Sequence, residues 1–142
     1  MQNKESYIDE ILQDVSTLES SVLETLNNKT LRDFVKMTIN GDNPISHISI
    51  NANLSNGEQG IVLYILTNVR LIKIDIGNHN KIQSSSFILD SIINMERELL
   101  DDDRIQIKVS FQNSSFGLRY PTSDTKTSDF FQSLDRSRAK GV

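Results

Sequence analysis

The segment Arg104-Ile105-Gln106-Ile107-Lys108-Val109-Ser110-Phe111-Gln112 alternates apolar and polar residues without a break. That is the pattern of a strand with one buried and one wet face. Asn113-Ser114 gives a short hairpin connection into Phe116, Leu118 and Tyr120, a second strand that Pro121 stops. Upstream, Lys81 to Leu89 and Ile92 to Leu100 read as two more strands, the latter with Ile93, Met95 and Leu99 facing inward. Asp101-Asp102-Asp103 makes the reversal between that strand and the next. Arg70 to Ile76 places Ile72, Ile74 and Ile76 on one face and Lys73 and Asp75 on the other. Gly60 to Leu66 is a continuous apolar run of the length of a central strand, broken by Thr67-Asn68. Ile48, Ile50, Ala52 and Leu54 alternate with Ser49, Asn51 and Asn53 as a half-buried strand. The turn signals Ser55-Asn56-Gly57 and Gly77-Asn78-His79-Asn80 separate these runs. Seven short antiparallel strands follow from the pattern.

The flanks have a different period. Ile8, Ile11, Leu12, Val15, Leu18, Val22 and Leu26 recur at spacings of three and four, one stripe of a helical face. Start signals occur at Ser6 with Asp9, Ser16 with Glu19 and Ser21 with Glu24, so this stretch reads as one helix or two. Thr30 with Asp33 opens a further short helix carrying Leu31, Phe34, Val35 and Ile39, ended by Gly41-Asp42-Asn43-Pro44. The stripe is close to a coiled-coil seam, interrupted by Thr25, which leaves two readings: packing on its own domain or association with another chain. At the other end Phe130, Phe131 and Leu134 share a helical face. Asp129 with Gln132 is read as its cap, Arg136, Arg138 and Lys140 as partners of its C-terminal dipole, and Gly141 as its exit.

The bulk numbers set the class. A chain of 142 residues with 37% hydrophobic and 24% charged residues is globular in composition and of the commonest one-domain size. A net charge of -4 argues against nucleic-acid binding through many phosphate contacts. It also argues against purely electrostatic membrane docking unless the cations cluster. With no cysteine, disulfides, thiol catalysis and Cys-ligated zinc are excluded. No apolar run reaches the roughly 20 residues of a membrane-spanning helix. Met1-Gln2-Asn3-Lys4-Glu5-Ser6 does not lead into a secretory leader, so a cytoplasmic location is expected.

Seven consecutive strands followed by one amphipathic helix resembles the element order of the pleckstrin-homology (PH) fold. In that fold two bent antiparallel sheets form a partly open barrel and the last helix plugs one end. Leu66-Thr67-Asn68-Val69-Arg70-Leu71-Ile72, then Phe87-Ile88-Leu89-Asp90-Ser91-Ile92, is similar to the paired signature of bacterial PH-like domains. There an apolar-Thr-Asp/Asn-x-Arg-Leu hairpin precedes an apolar-x-Leu-x-x-Ile step. The resemblance implies that Thr67 and Asn68 make a tight turn and that Leu89 and Ile92 are core. It covers residues 45 to 139 and implies an α+β, mainly antiparallel β fold: a seven-stranded PH-like partly open barrel capped by a C-terminal helix; the one to three helices expected before it are not part of the PH core. The expected organisation is a helical extension over 1–44 and a barrel over 45–142, forming one structural unit.

The resemblance further implies a binding scaffold rather than an enzyme; Gly-rich phosphate loops, nucleophile elbows and paired catalytic motifs are absent, so no cofactor and no metal are expected. Lipid-binding PH domains resemble one another in a Lys/Arg cluster at the loop between the first two strands. Here that loop, Leu54-Ser55-Asn56-Gly57-Glu58-Gln59, holds one acid and no base, so phosphoinositide recognition there is not expected.

Few residues stand out as chemistry. His47 and His79 are far apart in sequence and read as surface residues. Asp101-Asp102-Asp103 lacks the spaced oxygen ligands and glycine of a calcium loop and reads as a solvated hairpin. Arg70 is in phase with Ile72, Ile74 and Ile76, so its charge must reach the rim or meet a carboxylate; Arg97 is in phase with Ile93, Met95 and Leu99. Arg70, Lys73, Arg97, Lys108 and Arg119 are the candidate ligand or partner contacts. Ser84-Ser85-Ser86 is the one low-complexity stretch.

The expected function is a non-catalytic binding or scaffold module whose partner is another protein, met through a strand edge or the N-terminal helices. Homo-oligomerisation through those helices is a further possibility. The alternatives are peripheral membrane binding through a basic patch of Lys73, Lys108 and Arg119, and a small cone-shaped enzyme of the NTF2-like kind built around a desolvated carboxylate in a deep pocket.

Overall fold

The structure of the protein, a computed structural model, describes residues 4–54 and 56–140, with side chains through residue 137. The sequence readings of Met1–Asn3, Ser55, Gly141 and the side chains of Arg138 and Lys140 lie outside the described residues. The chain begins with α1 (Lys4–Ser16), a 3-10 turn (Ser21–Glu24) and α2 (Asn28–Ile39). Seven strands follow: β1 (Pro44–Asn53), β2 (Gln59–Thr67), β3 (Arg70–Ile76), β4 (Ile82–Ile88), β5 (Ile92–Leu99), β6 (Arg104–Phe111) and β7 (Ser115–Pro121). Helix α3 (Thr125–Lys140) ends the described chain. The strands form an antiparallel β1-β2-β3-β4 sheet and a separate β5-β6-β7 sheet. This α+β order of four strands, three strands and a terminal helix is the one expected from the sequence.

The chain divides into two compact units, residues 1–86 and 87–142. In the first, the helical stripe is buried within the chain itself. Ile8, Ile11, Val15, Val22, Leu31, Val35 and Ile39 form one cluster with Ile61, Leu63, Ile65, Ile72, Ile74 and Ile76. The strand members alternate along β2 and β3, so they are a single sheet face, the one the helices cover. The opposite face is buried too: Val62, Tyr64, Leu66 and Leu71 are all at most 3% exposed. This explains why β2 reads as an unbroken apolar run. The contacts therefore place the helical segment and the first sheet around one core.

Several helix starts differ from expectation. Helix α1 already begins at Lys4, so Ser6 lies inside its first turn. Ser16 is its last residue, and Ser20 rather than Ser21 caps the 3-10 turn. Helix α2 is capped by Asn27, whose side chain accepts from the Thr30 amide at 3.0 Å. The start therefore lies three residues before the Thr30 signal, at an Asn, which is a stronger N-cap than Thr. Pro44, read from sequence as the last residue of the helix stop, is the first residue of β1, where a proline is tolerated.

In the second unit, α3 buries Phe130, Phe131 and Leu134, each at most 1% exposed. Phe131 stacks on Tyr120 of β7 with ring centroids 6.5 Å apart. The helix starts at Thr125, and Asp124 accepts from the Thr127 amide and hydroxyl at 3.0 and 2.6 Å, so Asp129 is not its cap. Strand β6 buries Ile107, Val109 and Phe111 as its alternation requires. Strand β5 corrects the reading of its inward residues. The ladder register shifts between Ile92 and Asn94, so Ile92 is buried while Ile93 is 61% exposed. Leu99, at the far end of this edge strand, is 69% exposed.

Candidate functional site

The Thr67-Asn68-Val69-Arg70 hairpin turns out to be a structural joint. The Thr67 hydroxyl is fully buried and accepts from the amides of Val69 and Arg70 at 3.2 and 2.9 Å, a side-chain-closed turn. Asn68 holds the loop before β1 twice: its Oδ1 accepts from the Asn43 amide and its own amide donates to the Asn43 carbonyl, both at 3.0 Å. The Arg70 guanidinium donates to Asp42 Oδ2 at 2.8 Å and to the Thr38 carbonyl at 2.8 Å. It thus neutralises a carboxylate and caps the C-terminal end of α2, where carbonyls lack intrahelical partners.

His47 corrects the surface reading. Its side chain is 8% exposed and lies on the helix-covered face of β1. Nε2 lies 2.6 Å from Asp14 Oδ2 and Nδ1 lies 3.0 Å from the Tyr7 hydroxyl, both in α1. The sequence carried no sign of this, because Asp14 and Tyr7 lie more than thirty positions away. His79 is exposed, in a turn where both it and Asn80 take positive φ.

Two tyrosines, on opposite faces of the first sheet, acquire pH sensitivity from burial. Burial first, then the charges of Glu10 and Asp14, raises the Tyr7 phenol above its ordinary value; burial and Asp75 do the same to Tyr64. An acid whose folded pKa is raised contributes fully below its unfolded value, and that contribution fades as pH climbs toward the folded value. Stability should therefore fall above about pH 10, where unfolded tyrosine ionises. The urea midpoint followed from pH 9 upward should show that decline, and Tyr64→Phe should flatten it.

The remaining cations are dispersed. Lys73 lies 3.7 Å from Asp75 on β3. Arg97 lies near the Phe131 carbonyl (3.5 Å) and Asp135 (3.9 Å) of α3. Lys108 and Arg119 share the outward face of the second sheet, but Lys108 is directly opposite Glu96, and Arg119 donates to Gln106 Oε1. That face mixes both signs. In the Asp101–Asp103 reversal, the Arg104 guanidinium pairs with Asp102 and holds its carboxyl below the usual range. Among the described residues no cluster of three metal-ligating side chains occurs.

A cavity of about 290 Å³ lies beside the β1–β2 and β3–β4 loops, lined by Leu54, Glu58, Asp75, Asn80, Lys81 and Ile82 among others. Gly60 is required near it, since a Cβ there would meet the Ile76 carbonyl oxygen at 2.7 Å. The cavity wall continues into the start of β4 through Ile82 and Gln83.

Strand edges differ sharply in how they are protected. Sheets end at β1, β4, β5 and β7. Natural edges are blunted by charge, proline or bulges. Strand β1 has Pro44 and a register shift, β5 has Glu96, Arg97, Glu98 and a shift, and β7 has Arg119 and Pro121. Strand β4, Ile82-Gln83-Ser84-Ser85-Ser86-Phe87-Ile88, has neither charge nor proline, and Gln83 to Ser86 are exposed. The sequence showed the serine run but not its place at an edge, which depends on strand order.

Comparison with solved structures finds similarity to a DUF1696 family protein with a pleckstrin-homology domain from Shewanella loihica PV-4. The two are 20% identical over 81% of this chain and 92% of that one, with a TM-score of 0.47. No protein-family model and no curated protein matches the chain. Among the described residues no helix is long and apolar enough to cross a membrane.

Proposed function

We propose that the protein is a non-catalytic binding module that recognises other protein chains by accepting an extended segment along β4. The observation that carries this is the unprotected edge: four consecutive exposed, uncharged residues on the terminal strand of a buried sheet. Free N–H and C=O groups on such an edge are a template for a further strand. The helices support the reading by elimination, since their apolar faces are occupied by the first sheet. The membrane alternative loses support because Lys73 and Lys108 each face a carboxylate and Arg119 a glutamine. An NTF2-like arrangement is disfavoured by the uninterrupted run of strands, with α-helices, among the described residues, only before β1 and after β7.

The test is selection of peptides from a random display library on the full chain, followed by proline substitution in β4. Successive residues of a strand point their amides to opposite sides, so one of Ser84→Pro and Ser85→Pro removes an outward donor and the other a donor to β3. The variant that keeps the wild-type melt should lose peptide capture by about tenfold or more, the worth of one or two interface hydrogen bonds. No enriched peptide, or capture indifferent to both substitutions, would sink the reading.

A further inference from the structure

The sequence of β4 is close to a mirror of itself. Read about Ser85, antiparallel pairing with a second copy sets Ile82 opposite Ile88, Gln83 opposite Phe87, Ser84 opposite Ser86, and Ser85 opposite itself. We infer that the strand that adds to β4 is β4 of another copy of this chain, giving a two-fold dimer with one continuous sheet across the axis. This rests on the reading of β4 as an open edge and names its occupant.

Three observations converge on it. In a two-fold contact every residue meets a fixed counterpart, so any charge risks facing its own kind. Strand β4 has none, whereas the same operation on β5 about Arg97 would set Glu96 against Glu98 twice and Arg97 against itself. Ile88 is 63% exposed within the chain, and self-pairing gives it an apolar cross-strand neighbour in Ile82 of the other copy. The middle of the strand is serine, so the pairs nearest the axis are small and uncharged and can hydrogen-bond across it. A seven-residue strand pair belongs to the small interfaces, so a weak, concentration-dependent dimer is expected.

The chain has no cysteine, which makes the register testable with single thiols. Paired residues across an antiparallel ladder stand within disulfide reach, about 4.5 to 5.5 Å between Cα atoms, while a position two residues out of register does not. Sedimentation of the full chain from about 1 μM to about 1 mM should show the mass rising toward a dimer. On oxidation Ser85→Cys should cross-link at least about tenfold more than Ser84→Cys, because residue 85 meets itself and residue 84 does not. A monomer throughout that range overturns the inference. So does a dimer in which the two thiols link equally, or neither links. If the chain stays monomeric while library peptides still bind β4, self-pairing is wrong and the edge reading stands. If it dimerises with the expected cross-link but captures no peptide, self-pairing stands and recognition of other chains fails.

Discussion

A chain beginning at Gly41 should fail to give the cooperative melt of the full protein, and should bind a hydrophobic dye at room temperature. The deletion removes Ile8, Ile11, Val15, Val22, Leu31, Val35 and Ile39, each at most 2% exposed, and uncovers the five isoleucines and one leucine of β2 and β3 that they bury. Burial of one such side chain is worth about 1.5–3 kcal/mol. Even the lower figure, taken over the helical members alone, reaches the ~5–15 kcal/mol that holds a typical domain folded. The cut also takes away the Thr38 and Ile39 carbonyls that the Arg70 guanidinium caps. Far-UV circular dichroism against temperature checks it. A truncated chain melting cooperatively within a few degrees of the full one would show that the sheet does not depend on the helices.

Arg70→Met should be the most damaging single polar substitution in the first unit. The guanidinium side chain is 27% exposed and its Asp42 partner 16%, so the pair is shielded without being fully dry. Removing the cation leaves Asp42 with the Thr67 hydroxyl at 3.1 Å and uncaps the end of α2. Breaking a fully buried pair costs about 3–5 kcal/mol; with this exposure a loss of about 2–3 kcal/mol is expected in urea unfolding. Arg70→Lys keeps the charge but not the two-armed geometry, and should recover only part of the loss. Asp42→Asn combined with Arg70→Met should cost less than the two separately, because each removes the same contact. A loss under about 0.5 kcal/mol would place Arg70 among ordinary surface cations.

What the sequence disclosed follows from how local each signal is. The alternation in Arg104–Gln112 needs only nearest neighbours, and β6 follows it. The stripe from Ile8 to Leu26 correctly marks a buried helical face, although its Ser21–Glu24 part is a 3-10 turn. Ile93 misled because a register shift is set by the partner strand, and β6 pairs Ile92 with Phe111 before the ladder slips. His47 misled because its partners arrive from α1, a contact that only tertiary folding creates. Arg70 was legible as a cation in apolar phase needing a counter-charge; that the counter-charge would be Asp42 and the second partner a helix end was not. The β4 edge was the least legible feature, since Ser84-Ser85-Ser86 has no periodicity and its meaning depends on ending a sheet.

The central claim is that β4 is the recognition edge, and amide hydrogen exchange of the full chain with and without a library-selected peptide tests it most directly. Every second amide from Ile82 to Ile88, those not already bonded to β3, should become at least about tenfold slower when the peptide is bound, as new ladder bonds protect them. Protection confined to the cavity residues Asn56, Glu58 and Lys81, or to the outward face of α1 and α2, with β4 unchanged, would contradict the account.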